Sequence, residues 1–118
     1  CLWLYENKIT HLPKSIGKLK KLTDLWIYSN HLTNLPEEIG SLDSLKEIWL
    51  SNNNLEVIPN SVGNLLELQE CNLSNNCLQH LPSEFSSLEK LRWLEVDRDV
   101  LIPNELDGFV QDNIINFN

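Results

Sequence analysis

Residues 45–67 read LKEIWLSNNNLEVIPNSVGNLLE, and the chain on either side repeats that pattern. Leu22, Leu45, Leu68 and Leu91 open successive copies at a spacing of 23 residues. Asn7, Asn30, Asn53, Asn76 and Asp99 hold a second position at the same spacing, and Pro13, Pro36, Pro59 and Pro82 hold a third. So strict a period predicts a solenoid, in which no unit can bury its apolar face alone and stacked neighbours make the core together.

The first leucines of each unit alternate with polar or aromatic residues, the period-2 signature of a strand. Strands are predicted near Cys1–Trp3, Asp24–Trp26, Glu47–Trp49, Glu70–Asn72 and Trp93–Glu95, with Ile115–Phe117 as a sixth, degenerate one. Leu2 and Leu4, Leu25 and Ile27, Ile48 and Leu50, Cys71 and Leu73, and Leu94 and Val96 then point inward. The chain next turns out of the sheet, and the turn leaves backbone N–H and C=O groups away from water, where unpaired groups are costly. An amide side chain offers donors and an acceptor at once. The column Asn7, Asn30, Asn53, Asn76 is therefore expected to satisfy the turns, with Asp99 as a weaker fifth member because a carboxylate cannot donate. Beyond the turn, Leu32, Leu35, Ile39 and Leu42 and their equivalents line the back of the core, on short helical or 3-10 turns entered at proline.

Leu45-x-x-Ile48-x-Leu50-x-x-Asn53-x-Leu55 resembles the leucine-rich repeat, and Ile58-Pro59-x-x-Val62-Gly63-x-Leu65 is similar to its L-P-x-x-I-G-x-L variant. That variant is typical of intracellular scaffolds such as Scribble, Erbin and the Ras suppressors, and of related plant and microbial proteins. The resemblance implies an α/β fold, a right-handed solenoid with a parallel concave sheet and short helical or 3-10 turns on the convex side. Similar repeats bind proteins through the concave face, small GTPases and phosphatases among them. The single domain, 1–118, divides into a partial repeat at 1–21, full repeats at 22–44, 45–67 and 68–90, a variant repeat at 91–111, where Ile102-Pro103 arrives two residues early, and a degenerate last strand or cap at 112–118.

A net charge of −8 argues against nucleic acid or an anionic membrane as the main partner and favours one presenting Lys or Arg. No stretch reaches the ~18 apolar residues of a membrane span. Three cysteines, Cys1, Cys71 and Cys77, with no Cys-x-x-Cys pair, fit a reduced, cytoplasmic chain. The sequence starts at Cys1 inside a repeat and contains no Met, which reads as a piece of a longer protein. Asn72-Leu73-Ser74 forms a glycosylation sequon, read as a chance occurrence.

The outward residues of the strands form three rows. The central one is Trp3, Trp26, Trp49, Asn72, Glu95; on one side lie Tyr5, Tyr28, Ser51, Ser74, Asp97, and on the other Cys1, Asp24, Glu47, Glu70, Trp93. Every Trp and Tyr of the chain falls on this surface, flanked by Asp24, Glu47, Glu70, Glu95 and Asp97. Stacked indoles would stabilise the sheet even without a ligand, by roughly 0.2–1 kcal/mol per pair. Their confinement to one face nevertheless favours binding, because Trp and Tyr dominate interface hot spots. The candidate protein-binding residues are therefore Trp3, Tyr5, Asp24, Trp26, Tyr28, Glu47, Trp49, Glu70, Asn72, Trp93, Glu95 and Asp97. Lys14, Lys18, Lys20 and Lys21 are read as a solvated face.

Catalytic readings find little support. His11, His31 and His80 show no metal-ligand spacing, no glycine-rich phosphate loop occurs, and no nucleophile, base and orienting group share a face. The chain is read as a non-enzymatic protein-interaction module needing no cofactor or metal. The alternative is a recognition or regulatory segment of a larger multidomain signalling enzyme.

Overall fold

The computed structural model describes residues 1–118. Six short strands, β1 (Leu2–Trp3), β2 (Asp24–Trp26), β3 (Glu47–Trp49), β4 (Glu70–Asn72), β5 (Trp93–Val96) and β6 (Ile115–Phe117), form one parallel sheet in chain order. They fall where the alternation places them, except that β1 begins at Leu2 and β5 extends to Val96. Register follows the repeat: Leu25 lies between Leu2 and Ile48, and Ile48 beside Cys71. Leu25, Ile27, Ile48, Leu50, Cys71, Leu73, Leu94 and Val96 are buried, while Leu2 and Leu4 at the open edge are covered only in part. No helix is long and apolar enough to cross a membrane.

The opposite wall consists of 3-10 turns at Lys14–Lys18, Glu37–Ser41, Asn60–Asn64, Ser83–Ser87 and Asn104–Leu106. Each follows a proline held in an extended conformation, and the proline carbonyl accepts from the residue three positions on, as in Ile39 N–H to Pro36 O at 3.0 Å. Proline supplies that fixed φ and loses nothing, since its missing N–H would have had no partner inside the turn. Glycine is required where the turns stack. A Cβ on Gly17 would sit 2.7 Å from the Glu38 carbonyl oxygen and one on Gly63 2.9 Å from that of Glu84; at Gly40 it would strike the Ser61 carbonyl. Ser86 takes the equivalent place in the next repeat and is exposed, because the segment beyond it no longer stacks on it in the same way.

The exit from each strand passes through Glu6, Ser29, Asn52 or Asn75, all with φ between 55° and 58°. This left-handed residue reverses the chain just before the asparagine column. Asn53 shows what the column does. Its Oδ1 accepts from Leu32 N–H at 3.0 Å, and its Nδ2 donates to the carbonyls of Ile27 (3.0 Å) and Leu50 (3.1 Å). Asn30 and Asn76 repeat the arrangement one coil away on either side. Asn7, at the exposed edge, donates only to its own turn, at Leu4 and Tyr5.

Asp99 does not extend this column, contrary to the expectation from spacing. It is exposed and takes no side-chain hydrogen bond. Asp97 serves the fourth turn instead: its carboxylate accepts from Asn75 N–H (2.8 Å) and Asn76 N–H (3.2 Å), and Asn118 Nδ2 closes on it at 3.2 Å. The cause is the shortened fifth unit. Its convex side carries a helix, α1 (Asp107–Gln111), after the last 3-10 turn, so its strand exit takes a different course. Leu106 still reaches the core, and β6 pairs with β5 in register, Leu94 beside Ile115.

Asn53→Ala leaves buried backbone groups of two coils unpaired and is expected to lower stability by about 2–4 kcal/mol, read from the urea midpoint. Gly40→Ala forces two backbones apart and is expected to cost about 1–3 kcal/mol in the same measurement.

Candidate functional site

The alternation that buries the leucines turns the intervening side chains to the concave side of β1 to β5. Strands in a sheet lie about 4.8 Å apart, close to the thickness at which aromatic rings stack. Trp3 and Trp26 accordingly stack with ring centroids 5.5 Å apart and planes at 21°, and Tyr5 and Tyr28 at 5.0 Å and 2°. At the next step the stack opens. Trp26 and Trp49 stand 6.1 Å apart and are tilted by 57°. A pocket of about 260 Å³, lined by Trp26, Tyr28, Trp49 and Ser51, occupies the gap. The indole N–H groups of Trp26 and Trp49 are buried without an acceptor, so these rings are held in place by packing rather than by hydrogen bonds.

Trp93 joins the ladder from an adjoining row. Its strand lies two removed from that of Trp49, about 9.6 Å by sheet spacing. Yet the two ring centroids are 5.7 Å apart with planes at 29°, so the rings lean together over β4. Asn72, on the strand between them, is only 8% exposed. Its Oδ1 accepts from the N–H (3.0 Å) and the hydroxyl (2.7 Å) of Ser74, which is also buried. Asn72 was expected among the residues offered to a partner; the structure makes it an internal support instead. Its burial equally withdraws the sequon from the surface of the folded chain.

The flanking carboxylates divide by what already holds them. Glu70 pairs with Arg92 at 2.8 Å, in a notch of about 370 Å³ shared with Trp49 and Trp93. Asp97 is committed to the Asn75–Asn76 backbone, and Asp24 accepts from the Cys1 thiol (2.6 Å) and the Thr23 hydroxyl (3.3 Å). The other two ion pairs, Lys20–Asp43 and Lys90–Glu67, lie off this face. Lys90, hydrogen-bonded to Glu67, holds that carboxyl below the usual carboxylate range. Glu47 and Glu95 remain half-buried with no cation of their own. Arg92 was the member missed from sequence; only its spacing of 22 from Glu70 hinted at the pairing.

Trp3 (58% exposed) and Tyr5 (41%) are the open end of the ladder, and Trp26, Tyr28, Trp49 and Trp93 are half-buried along it. The face thus offers ring edges, one apolar pocket and unpaired carboxylates. No three His, Cys, Asp or Glu side chains gather into a group able to hold a metal, and burial pushes the Cys71 thiol pKa well up, keeping it in the unreactive protonated form.

Residues 43–101 match the leucine rich repeat family in one of its forms, and residues 21–42 match a second leucine rich repeat description. The solved structure of a leucine-rich repeat protein of Leptospira interrogans is similar over 98% of this chain, with 37% identity and a TM-score of 0.85. This chain spans 30% of the length of that one. No curated protein matches the sequence.

Because Trp49 belongs to two ring pairs and Trp3 to one at the exposed end, their truncations should differ. Trp49→Ala is expected to destabilise the fold by about 2–4 kcal/mol and Trp3→Ala by no more than about 1 kcal/mol, compared by urea unfolding.

Proposed function

The chain belongs to the leucine-rich repeat family, and on that premise we propose that its concave aromatic-acidic face docks a protein partner that presents Lys or Arg. Leucine-rich repeat domains generally mediate protein–protein interaction and are typically non-enzymatic. One observation carries the reading: every Trp and Tyr lies on the concave face, although the apolar core is complete without any of them. Each such ring carries roughly 150–250 Å² of surface, a large part of which a partner would remove from water. The pocket at the open step of the stack suits an apolar side chain, and unpaired Glu47 and Glu95 beside the rings suit cations.

On this reading the protein is a cytoplasmic signalling scaffold, and the sequence resemblance favours a small GTPase or a phosphatase as the class of partner. Free thiols at Cys1, Cys71 and Cys77 agree with a reducing compartment. Because the chain spans only part of the length of the Leptospira protein, the surface proposed is that of this segment and not of a whole receptor.

The test is affinity capture from lysate with the intact chain and with the Trp26→Ala/Trp49→Ala variant, after circular dichroism has verified that the variant folds. Loss of captured protein in the folded variant is expected; equal capture would overturn the site. Glu95→Lys leaves the ring stack in place and should weaken the same capture through charge alone.

A further inference from the structure

We propose that Glu47 is the docking point of an arginine side chain of the partner, received between the carboxylate and the neighbouring indoles; this rests on the concave-face reading above. The chain carries its own filled example one repeat further on. Glu70 holds the Arg92 guanidinium at 2.8 Å in the notch that Trp49 and Trp93 enclose. Glu47 is the register neighbour of Glu70, and Trp26 is the register neighbour of Trp49. The carboxylate and one of the two indoles therefore recur at the same positions of the sheet, while the place of Trp93 is taken by Glu70. The cation does not recur. Moving back from Arg92 by one repeat of 23 residues lands on Gln69, which is neutral and makes no side-chain hydrogen bond to Glu47.

Glu47 is thus half-buried on the strand that carries Trp49, with its charge unanswered. Such a carboxylate has given up part of its hydration and gains from a charge-assisted hydrogen bond. The other candidates inside the chain are engaged elsewhere or absent. Lys46, the residue one repeat before Gln69, precedes Glu47 in the chain and forms an ion pair with neither Asp24 nor Glu47. Arg92 is spent on Glu70 and so is not available to Glu47. Arginine fits better than lysine because its planar fork meets a carboxylate bidentately, is less strongly hydrated and lies against indole. The net charge of −8 assists its approach.

The probe is a short peptide with a single arginine, and its citrulline and lysine versions, titrated into the folded chain while the indole N–H resonances of Trp26 and Trp49 are followed. The arginine peptide is expected to shift both resonances, the citrulline peptide neither, and lysine to bind more weakly. Glu47→Gln should weaken arginine binding about five- to tenfold. Gln69→Arg should weaken it as much without lowering thermal stability, by supplying from within the chain the guanidinium that the partner would bring. Arginine binding that survives both substitutions, equal binding of citrulline, or no binding to the unaltered chain overturns the proposal. Failure here with continued loss of capture in the Trp26→Ala/Trp49→Ala variant removes the arginine site alone. Capture that persists in that variant removes the concave face itself.

Discussion

A carboxamide at the exit of each of β2, β3 and β4, bonded to the coil before it, is the interaction on which the molecule depends. The chain leaves the sheet through a left-handed residue and exposes to the core carbonyls and an N–H that nothing apolar can satisfy. Asn30, Asn53 and Asn76 answer both needs with one side chain. Because Oδ1 accepts from the coil before and Nδ2 donates to carbonyls of both coils, the same side chain that closes one turn fixes its neighbour above it. The vertical alignment of equivalent residues follows from this bond geometry as much as from leucine packing.

Alignment then has consequences on both walls. On the convex side it brings the 3-10 turns so close that Gly17, Gly40 and Gly63 have no room for a Cβ. On the concave side it sets indoles and phenols at the distance of ring stacking. Where the column ends, both walls change together. Asp97 and Asn118 take over the turn, α1 is added after the last 3-10 turn, and the two rows that began with Trp3 and Tyr5 end in Glu95 and Asp97.

The face that results is graded rather than uniform. At β1 and β2 the rings present edges and one open end; between β2 and β3 they part to leave a pocket; over β4 they close again and hide Asn72. Intrachain partners occupy Glu70 and Asp97 and leave Glu47 and Glu95 free. On the proposed reading a partner would meet a short aromatic ridge with a cation-seeking position at Glu47.

The repeat, the six strands, the inward leucines and the gathering of all Trp and Tyr on one wall were legible in the sequence. These properties depend only on two periods, 23 along the coil and 2 along the strand, and both can be counted on a linear chain. Tertiary structure alone decided the rest. Asn72 looked outward by parity and is buried, its amide turned to Ser74 on a strand whose neighbours on both sides carry indoles that converge. Asp99 held the right number in the column and lies outside it, because the last unit is short and its strand exit changes course. Glu47 and Glu70 are identical by position and differ in charge balance, because a side chain as long as arginine reaches across to the neighbouring strand. Periodicity assigns a residue to a wall of the coil; the reach and shape of its neighbours decide whether it stays exposed there.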